Sequence, residues 1–325
     1  MPAAGGINAQ LGFAEESTPG TPVTPNRFVE FEKESLTHDL ERVEHSGLRP
    51  GRRLLGAANY AIGRVSANGD VELVLQNEGQ AVWFKHALGA VATTTPGGAT
   101  DAREHKCTVG DLDGKALTVQ VGMADDTGTS RAKTVAGVKV ASWKLSGKEN
   151  EHPVFALTLD GMTATTGTAL AAASYPATED YFSTQTVVSI AGAEVECSEW
   201  EISGSNGLNT ERYYVGSNIK RQQLEGNELR EITGKLTLAF PSLVAYERFV
   251  SDTQASIQIA MTGSVIESAI PYSLTIDIPA ARFDGTTPAV DGVGLIPVEV
   301  PFKVVDDEDT DGPIVVTIVN TDTTA

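Results

Sequence analysis

The sequence predicts a mainly β protein made of two similar units in tandem, each with one short helix. Two stretches of matching pattern carry this prediction: one begins at Gly69 and the other at Gly234, and 234 − 69 = 165 residues separate them. Composition agrees, because 32 glycines among many Thr and Val residues are typical of β proteins. A chain of 325 residues is long enough for two units that each bury a core.

The first stretch reads as a strand that leads directly into a helix. Val71, Leu73 and Leu75 alternate with more polar residues, and this period of two predicts a half-buried strand. The spacing then changes, because apolar residues recur at helical intervals between residues 81 and 88. Gly89 follows as the expected end of that helix.

The second stretch repeats this order 165 residues later, since Phe84 corresponds to Phe249 and 249 − 84 = 165. Strand patterns follow each stretch in the same succession, at residues 117–121, 138–145 and 154–159 in the first half and at 256–260, 272–278 and 296–304 in the second. A repeated order of strand, helix, strand and hairpin predicts a tandem duplication. The alternative is that unrelated β segments share alternating patterns.

The positions of Gly- and Pro-rich stretches divide the chain into five segments. Residues 1–26 form an extended arm, 27–163 the first β unit, 164–180 a linker, 181–320 the second β unit and 321–325 a tail. The arm is either a disordered tail or a segment that becomes ordered on a neighbouring subunit, with Leu11 and Phe13 as its apolar anchors. Residues 90–105, rich in Thr, Gly and Ala, read as a loop.

Each half also has a long polar loop before its central strand, and each loop has a basic group. These groups are Arg49, Arg52 and Arg53 in the first half and Lys220 and Arg221 in the second. A solvated loop explains either group alone. Two long loops at the same place favour a functional role for both.

Several classes of function are disfavoured. A net charge of −19 opposes a surface that grips nucleic acid, which requires clustered Lys and Arg. The two cysteines are too few for a disulfide scaffold or a cysteine-rich zinc site. Because the five histidines and many carboxylates form no catalytic, metal or phosphate motif, we expect no enzyme and no cofactor. No apolar run is long enough to cross a bilayer and no secretory signal begins the chain, so we expect the chain to stay in the cytoplasm where it is made.

Several motifs follow one another in a definite order and spacing along the chain. They are Gly63-x-Val65, Gly69-Asp-Val-Glu-Leu-Val-Leu, the helix ending in Leu88-Gly89, Leu117-Thr-Val-Gln-Val-Gly, Val135-Ala-Gly-Val-Lys-Val-Ala-Ser-Trp143, Leu208-Asn-Thr-Glu-Arg-Tyr-Tyr214, Glu231-Ile-Thr-Gly-Lys-Leu-Thr, Leu274-Thr-Ile-Asp-Ile-Pro-Ala-Ala-Arg-Phe-Asp-Gly285 and Val300-Pro-Phe-Lys-Val. Their order and spacing resemble those of the major tail (tail tube) proteins of long-tailed bacteriophages, in the version carried by phages of actinobacteria. The resemblance covers roughly residues 8–320.

The resemblance implies β-sandwich or curled-sheet units of the tail-tube type, whose sheets join side by side into a ring. The rings then stack into a tube through the arm and the long loops. Two units in one chain favour a trimeric pseudo-hexamer over a ring of six chains. Further partners implied are a tape-measure protein and tail-tip or terminator proteins. The protein is then part of the virion tail, assembled in the host cytoplasm, without membrane insertion.

In such a tube DNA passes through the lumen without specific binding, and an acidic lining would favour sliding. Asp70, Glu72 and Glu231 are the candidates for lumen-facing acidic residues. Two alternatives remain. One is a tail-completion or baseplate protein of the same fold that makes a single ring. The other is a β-sandwich ligand-binding module of the adhesin type, although the 6% aromatic content offers it few binding residues.

Overall fold

The computed structural model describes residues 6–226, 228–239, 250–285, 297–308 and 312–325. The strands of the first half are β1 Gln10–Glu15, β2 Arg27–Val29, β3 Lys33–Glu34, β4 Asp39–Glu44, β5 Tyr60–Val74, β6 Gly89–Thr94, β7 Arg103–Val109, β8 Leu117–Ala124, β9 Ser130–Lys148, β10 Val154–Gly161 and β11 Thr163–Thr165. The strands that follow are β12 Thr186–Ile190, β13 Ala193–Glu194, β14 Cys197–Ser205, β15 Glu231–Ala239, β16 Ala255–Glu267, β17 Ile270–Phe283, β18 Pro297–Val304 and β19 Val315–Asn320. An α-helix, α1, spans Ala81–Leu88, and short 3₁₀ helices span Gly6–Asn8 and Ser183–Gln185.

The strand and helix predicted from Gly69 to Gly89 are confirmed. Val71 and Leu73 in β5 are fully buried, and their neighbours Asp70 and Glu72 lie on the opposite, more exposed face. Gly89 ends α1 with φ of 116°, a left-handed conformation that favours glycine, and its N–H donates to the carbonyl oxygen of Lys85. The strand is longer than expected, because it begins at Tyr60, nine residues before Gly69.

Helix α1 lies in the core of the first half. The ring of Phe84 stacks on Phe155 of β10 with centroids 4.5 Å apart. On another side of the helix, Trp83 contacts Phe13 of β1 at 4.6 Å. Aromatic pairs at these distances bury large apolar areas and fix the helix against both strands. The helix predicted in the second half, around Phe249, lies outside the described residues.

A continuous run of six strands joins the two halves of the chain. Its antiparallel order is β5–β10–β9–β14–β15–β18, and the pair β9–β14 is the seam between the halves. Two Trp–Gly pairs form this seam, because Trp143 lies opposite Gly204 and Trp200 lies opposite Gly147. A Cβ atom at Gly204 would come within 2.4 Å of the indole of Trp143, so only glycine fits there.

The two halves have the same order of paired strands. In the first half β3, β5, β10, β9, β8 and β1 are successive neighbours, and in the second half β14, β15, β18, β17, β16 and β12 are. Core positions agree as well, since Val71 pairs with Leu157 and Leu236 pairs with Val300, all four buried. The predicted mainly β fold is confirmed, and a tandem duplication remains the interpretation that accounts for this order.

Two segments differ from their sequence-based descriptions. Part of the expected arm is strand β1, which pairs with β2 and β8 of the same chain. The two ends of the stretch 90–105 lie in β6 and β7, and β7 pairs with β19 near the end of the chain. Tertiary pairing gives both segments a regular structure that their small and polar residues did not indicate.

Residues 164–180, expected as a linker, run along the first half. The N–H of Ala171 donates to the side chain of Gln120, and the N–H of Glu179 donates to that of Asn77. After this segment, Tyr181 is almost fully buried.

Candidate assembly interface

The three acidic residues expected to face a lumen lie on one exposed face of the large sheet. Asp70 and Glu231 belong to a single row of cross-strand neighbours that runs through Thr158, Ser142 and Ser205. Glu72 lies in the next row on the same face. The sheet brings together residues that stand 161 positions apart in the sequence (231 − 70 = 161). Asp70, Lys144 and Glu231 are among the residues that line a groove on this face.

The charges on this face are nearly balanced and mostly paired. Its six strands supply six carboxylates and four lysines: Asp70, Glu72, Glu199, Glu201, Glu231 and Glu299 with Lys144, Lys148, Lys235 and Lys303. Ion pairs join Lys144 to Glu201 at 2.8 Å, Lys235 to Glu299 at 3.5 Å and Lys303 to Glu231. The short edge strand β3 adds Lys33 opposite Glu72. A face of this kind offers a passing phosphate few unpaired cations.

A hairpin extends from the sheet where β5 pairs with β4. All six residues of β4 are exposed, and so is most of the connecting loop. Its large apolar side chains have little cover, with Leu48 and Leu54 more than four-fifths exposed. Arg49, Arg52 and Arg53 lie exposed in the loop, as a contact surface requires. Leu40, Val43, Leu55, Tyr60 and Ile62 add exposed apolar area.

The second predicted loop, residues 206–230, packs instead against the first half of its own chain. Lys220 is 2% exposed, and its ammonium group lies 2.5 Å from the carboxylate of Asp160 in β10. Gln223 donates to the other carboxylate oxygen of Asp160 at 2.9 Å. In this structure Lys220 therefore holds the loop to its own chain and does not reach another subunit. Arg221 is exposed.

A second buried lysine extends this contact. The ammonium group of Lys139 donates to the carbonyl oxygens of Leu112 and Gln223, each at 2.7 Å. Burial lowers the pKa of Lys139, an effect opposed by nearby carboxylates. Burial likewise raises the pKa of Asp160, although the hydrogen bond from Lys220 opposes that rise. These groups fix the loop by directional contacts that only a folded first half provides.

Leu11 and Phe13, the expected anchors of the arm, are fully buried in the core of their own chain. Glu15, at the end of the same strand, lies 2.7 Å from Lys85 and 2.8 Å from His86 of α1. Burial alone would raise the pKa of Glu15, but these basic neighbours lower it to about 2. Strand β1 is therefore a structural part of the first half, and its anchors do not belong to the interface proposed below.

Within the described ranges, no group of three or more His, Cys, Asp or Glu side chains is placed to hold a metal ion. The same residues contain no helix that is long and apolar enough to span a membrane. Cys107 and Cys197 are free thiols, and burial raises the pKa of both. Sequence reasoning missed the β9–β14 seam. The available signal was a tryptophan followed four residues later by a glycine in both strands, Trp143 with Gly147 and Trp200 with Gly204.

Comparison with known families gives one match, which covers almost the whole chain. A family model described as phage tail tube protein matches residues 6–304, which is 304 − 6 + 1 = 299 of the 325 residues. No curated protein matches the chain significantly.

Proposed function

This chain belongs to the phage tail tube protein family, and from that premise we propose that it assembles into stacked rings that form the hollow tail tube of a phage. We further propose that three copies make one ring, because each chain has two sets of strands paired in the same order. Three copies then supply six units in a pseudo-hexamer. The seam between β9 and β14 carries this proposal, since it shows two such sets joined side by side by backbone hydrogen bonds.

The seam also indicates how a ring closes. A sheet with two open edges is prone to uncontrolled pairing, and closing the sheet into a barrel removes the edges. In one chain the short strand β3 lies beside β5 at one end of the six-strand sheet, and β18, which pairs with β17 through residues 302–304 only, lies at the other. Side-by-side joining of copies at these ends extends the sheet, and a rotation that closes gives a ring with a hole.

The exposed face of the sheet then lines the lumen, with Asp70, Glu72 and Glu231 directed toward the DNA. Phosphate binding requires unpaired basic groups that release counterions. On this face Lys144, Lys235 and Lys303 each pair with a glutamate, so the face has little to hold a duplex. We propose that DNA slides through during ejection without specific binding.

The finer identity follows from the same premise. We propose that the protein is a virion component assembled in the cytoplasm of an actinobacterial host, together with a tape-measure protein and tail-tip or terminator proteins. We propose no catalytic activity. Arg49, Arg52 and Arg53 in the β4–β5 hairpin are the proposed contacts to another copy, and exposed Arg221 stays a weaker candidate.

Negative-stain electron microscopy of the purified chain at increasing concentration tests this function. We expect stackable rings or hollow tubes. Closed rings that never stack would favour the single-ring tail-completion alternative. Compact particles at every concentration, with or without added tape-measure and tail-tip proteins, would contradict the proposal and leave the ligand-binding alternative.

A further inference from the structure

We infer that the β4–β5 hairpin of one copy docks sideways on the second half of the neighbouring copy in the same ring, over a surface around Val250, Arg282 and Lys303. This inference rests on the proposed function, because it requires a ring of several copies. The hairpin contact then lies between neighbouring copies within one ring, and not between stacked rings.

The chain itself contains the template for this contact. Residues 206–230 connect β14 to β15 and lie between Ser205 and Glu231, which pair with each other. The hairpin region, residues 40–65, likewise lies between Asp39 and Ser66, which pair with each other. Because β3 and β14 occupy the same place in the two pairing orders, the two connections are equivalent. Their lengths agree, with 65 − 40 + 1 = 26 and 230 − 206 + 1 = 25 residues. The second connection docks on the neighbouring unit, which is the first half of the same chain.

Three positions of the first half are buried beneath that docked connection. Lys220 pairs with Asp160, Gln223 accepts a hydrogen bond from Lys139 through its carbonyl oxygen, and the carboxylate of Glu225 accepts the N–H of Leu112. Leu112, Lys139 and Asp160 are all at most 5% exposed.

The strand register locates the counterparts of these positions in the second half. Leu157 of β10 corresponds to Val300 of β18, a shift of 300 − 157 = 143, which maps Asp160 to Lys303. Lys139 pairs with Asp160 and Arg282 pairs with Lys303, so Lys139 maps to Arg282. Leu117 pairs with Val138 of β9, and Ala255 pairs with Ala281 of β17, which is the counterpart of Val138. The shift here is 255 − 117 = 138, and it maps Leu112 to Val250. The turn in between supports this register, because Gly114 has φ of 78° and its counterpart Asp252 has φ of 50°.

The counterpart surface is uncovered in the single chain. Val250 is 64% exposed where Leu112 is 1% exposed. The side chains of Arg282 and Lys303 are 44% and 39% exposed, against 2% for Lys139. The hairpin that would cover them is itself exposed over β4 and most of the loop that follows it. Two complementary uncovered surfaces remain, and docking of one copy on the next buries both, as residues 206–230 do within the chain.

Charge favours the same pairing. The loop at residues 45–59 has three arginines and no carboxylate. Two cations of the receiving surface are already paired within the chain, Arg282 with Asp284 and Lys303 with Glu231. The same end of the second half adds the exposed acidic residues Asp252, Asp306, Asp307 and Glu308. Asp306 follows Val305, whose N–H donates to the carbonyl oxygen of Ala280 beside Arg282, so this acidic run adjoins the proposed surface. Opposite potentials on two surfaces steer their association and disfavour other orientations.

Charge reversal on each surface, followed by the combination, tests the contact in the full-length chain. The first variant combines Arg49→Glu, Arg52→Glu and Arg53→Glu, and the second combines Asp306→Lys, Asp307→Lys and Glu308→Lys. We expect each to lose rings at concentrations where the wild type forms them, and the six-fold combination to restore them. All six residues are exposed, so thermal unfolding should show that each variant is folded. Val250→Asp should also lose rings, whereas Val265→Asp, a change at a valine of similar exposure (62%), should keep them.

The outcomes separate this contact from the function on which it rests. If the variants keep discrete rings but fail to stack, the hairpin is an axial contact and the inference is wrong. If both reversals abolish rings and the combination does not restore them, the named receiving surface is wrong. Unchanged assembly of every variant would also overturn the contact while leaving the tube intact. A wild-type chain that never forms rings would overturn the proposed function and this contact with it.

Discussion

Breaking the ion pair between Lys220 and Asp160 should destabilise the chain far more than breaking an exposed pair. In Lys220→Met, the carboxylate of Asp160 stays buried with only the amide of Gln223 to compensate it. Removal of one partner from a buried pair costs about 3–5 kcal/mol, because an uncompensated charge remains in the protein interior. Arg64→Met is the matched control, since Arg64 and Glu211 form a pair at 3.1 Å whose side chains are 59% and 72% exposed. We expect about 0–1 kcal/mol from that change.

The assay is urea unfolding of the full chain, kept at a concentration below that of assembly. Replacing both charges, as in Asp160→Asn with Lys220→Met, should recover most of the loss because no buried charge then remains. Burial already holds the pKa of Asp160 above its usual range. Loss of the ammonium group raises it further, and a folded-state pKa above the unfolded value weakens the fold as pH rises through it. Lowering the pH toward 4 should therefore restore part of the stability of Lys220→Met.

Equal and small losses for Lys220→Met and Arg64→Met would refute this reasoning, because they would mean that Asp160 is solvated after the change. A double variant less stable than Lys220→Met would also refute it. Either result would show that residues 206–230 are held by contacts other than the buried charges.

Three further predictions follow from the seam, the core and the lumen face. Gly204→Ala should cost about 1–3 kcal/mol in urea unfolding by overpacking the indole opposite, whereas Gly97→Ala, which meets no atom within 4 Å, should cost little; equal losses would contradict the packing of the seam. Because the folded-state pKa of Glu15 is lowered to about 2, its stabilisation is present above about pH 4.5 and is lost toward pH 2. Glu15→Gln should then lower the melting temperature at pH 6 and leave it unchanged near pH 2, and a loss that is independent of pH would contradict this. Tubes of the variant Asp70→Lys with Glu231→Lys should retain DNA in a salt-dependent way in filter binding, and a variant that binds no more DNA than the wild type would contradict the lumen assignment.

Local pattern was sufficient for the parts of the fold that local chemistry determines. The alternation at Val71 and Leu73, the helical spacing up to Leu88 and the left-handed Gly89 are all present in the structure as predicted. The three lumen candidates share one face because a strand period of two fixes which side each residue takes. These features depend on a few neighbouring residues.

Long-range pairing accounts for what sequence reasoning did not find. Strand β1 lies among glycines and prolines, and only its pairing with β8 shows that Leu11 and Phe13 belong to the core. Lys220 lies in a polar stretch that is typical of a solvated loop, yet it forms a buried ion pair with Asp160, 60 residues earlier. The order of elements along the chain was sufficient to predict a repeat, whereas the seam at Trp143 required the register of β9 against β14.

The copy number of an isolated ring tests the central claim most directly. Native mass spectrometry of single rings, separated from tubes, gives the ring mass divided by the chain mass. We predict three, because two sets of strands paired in the same order lie in each chain and a seam joins them within it. A ring of six chains would contradict the pseudo-hexamer, since each ring would then contain twelve such sets.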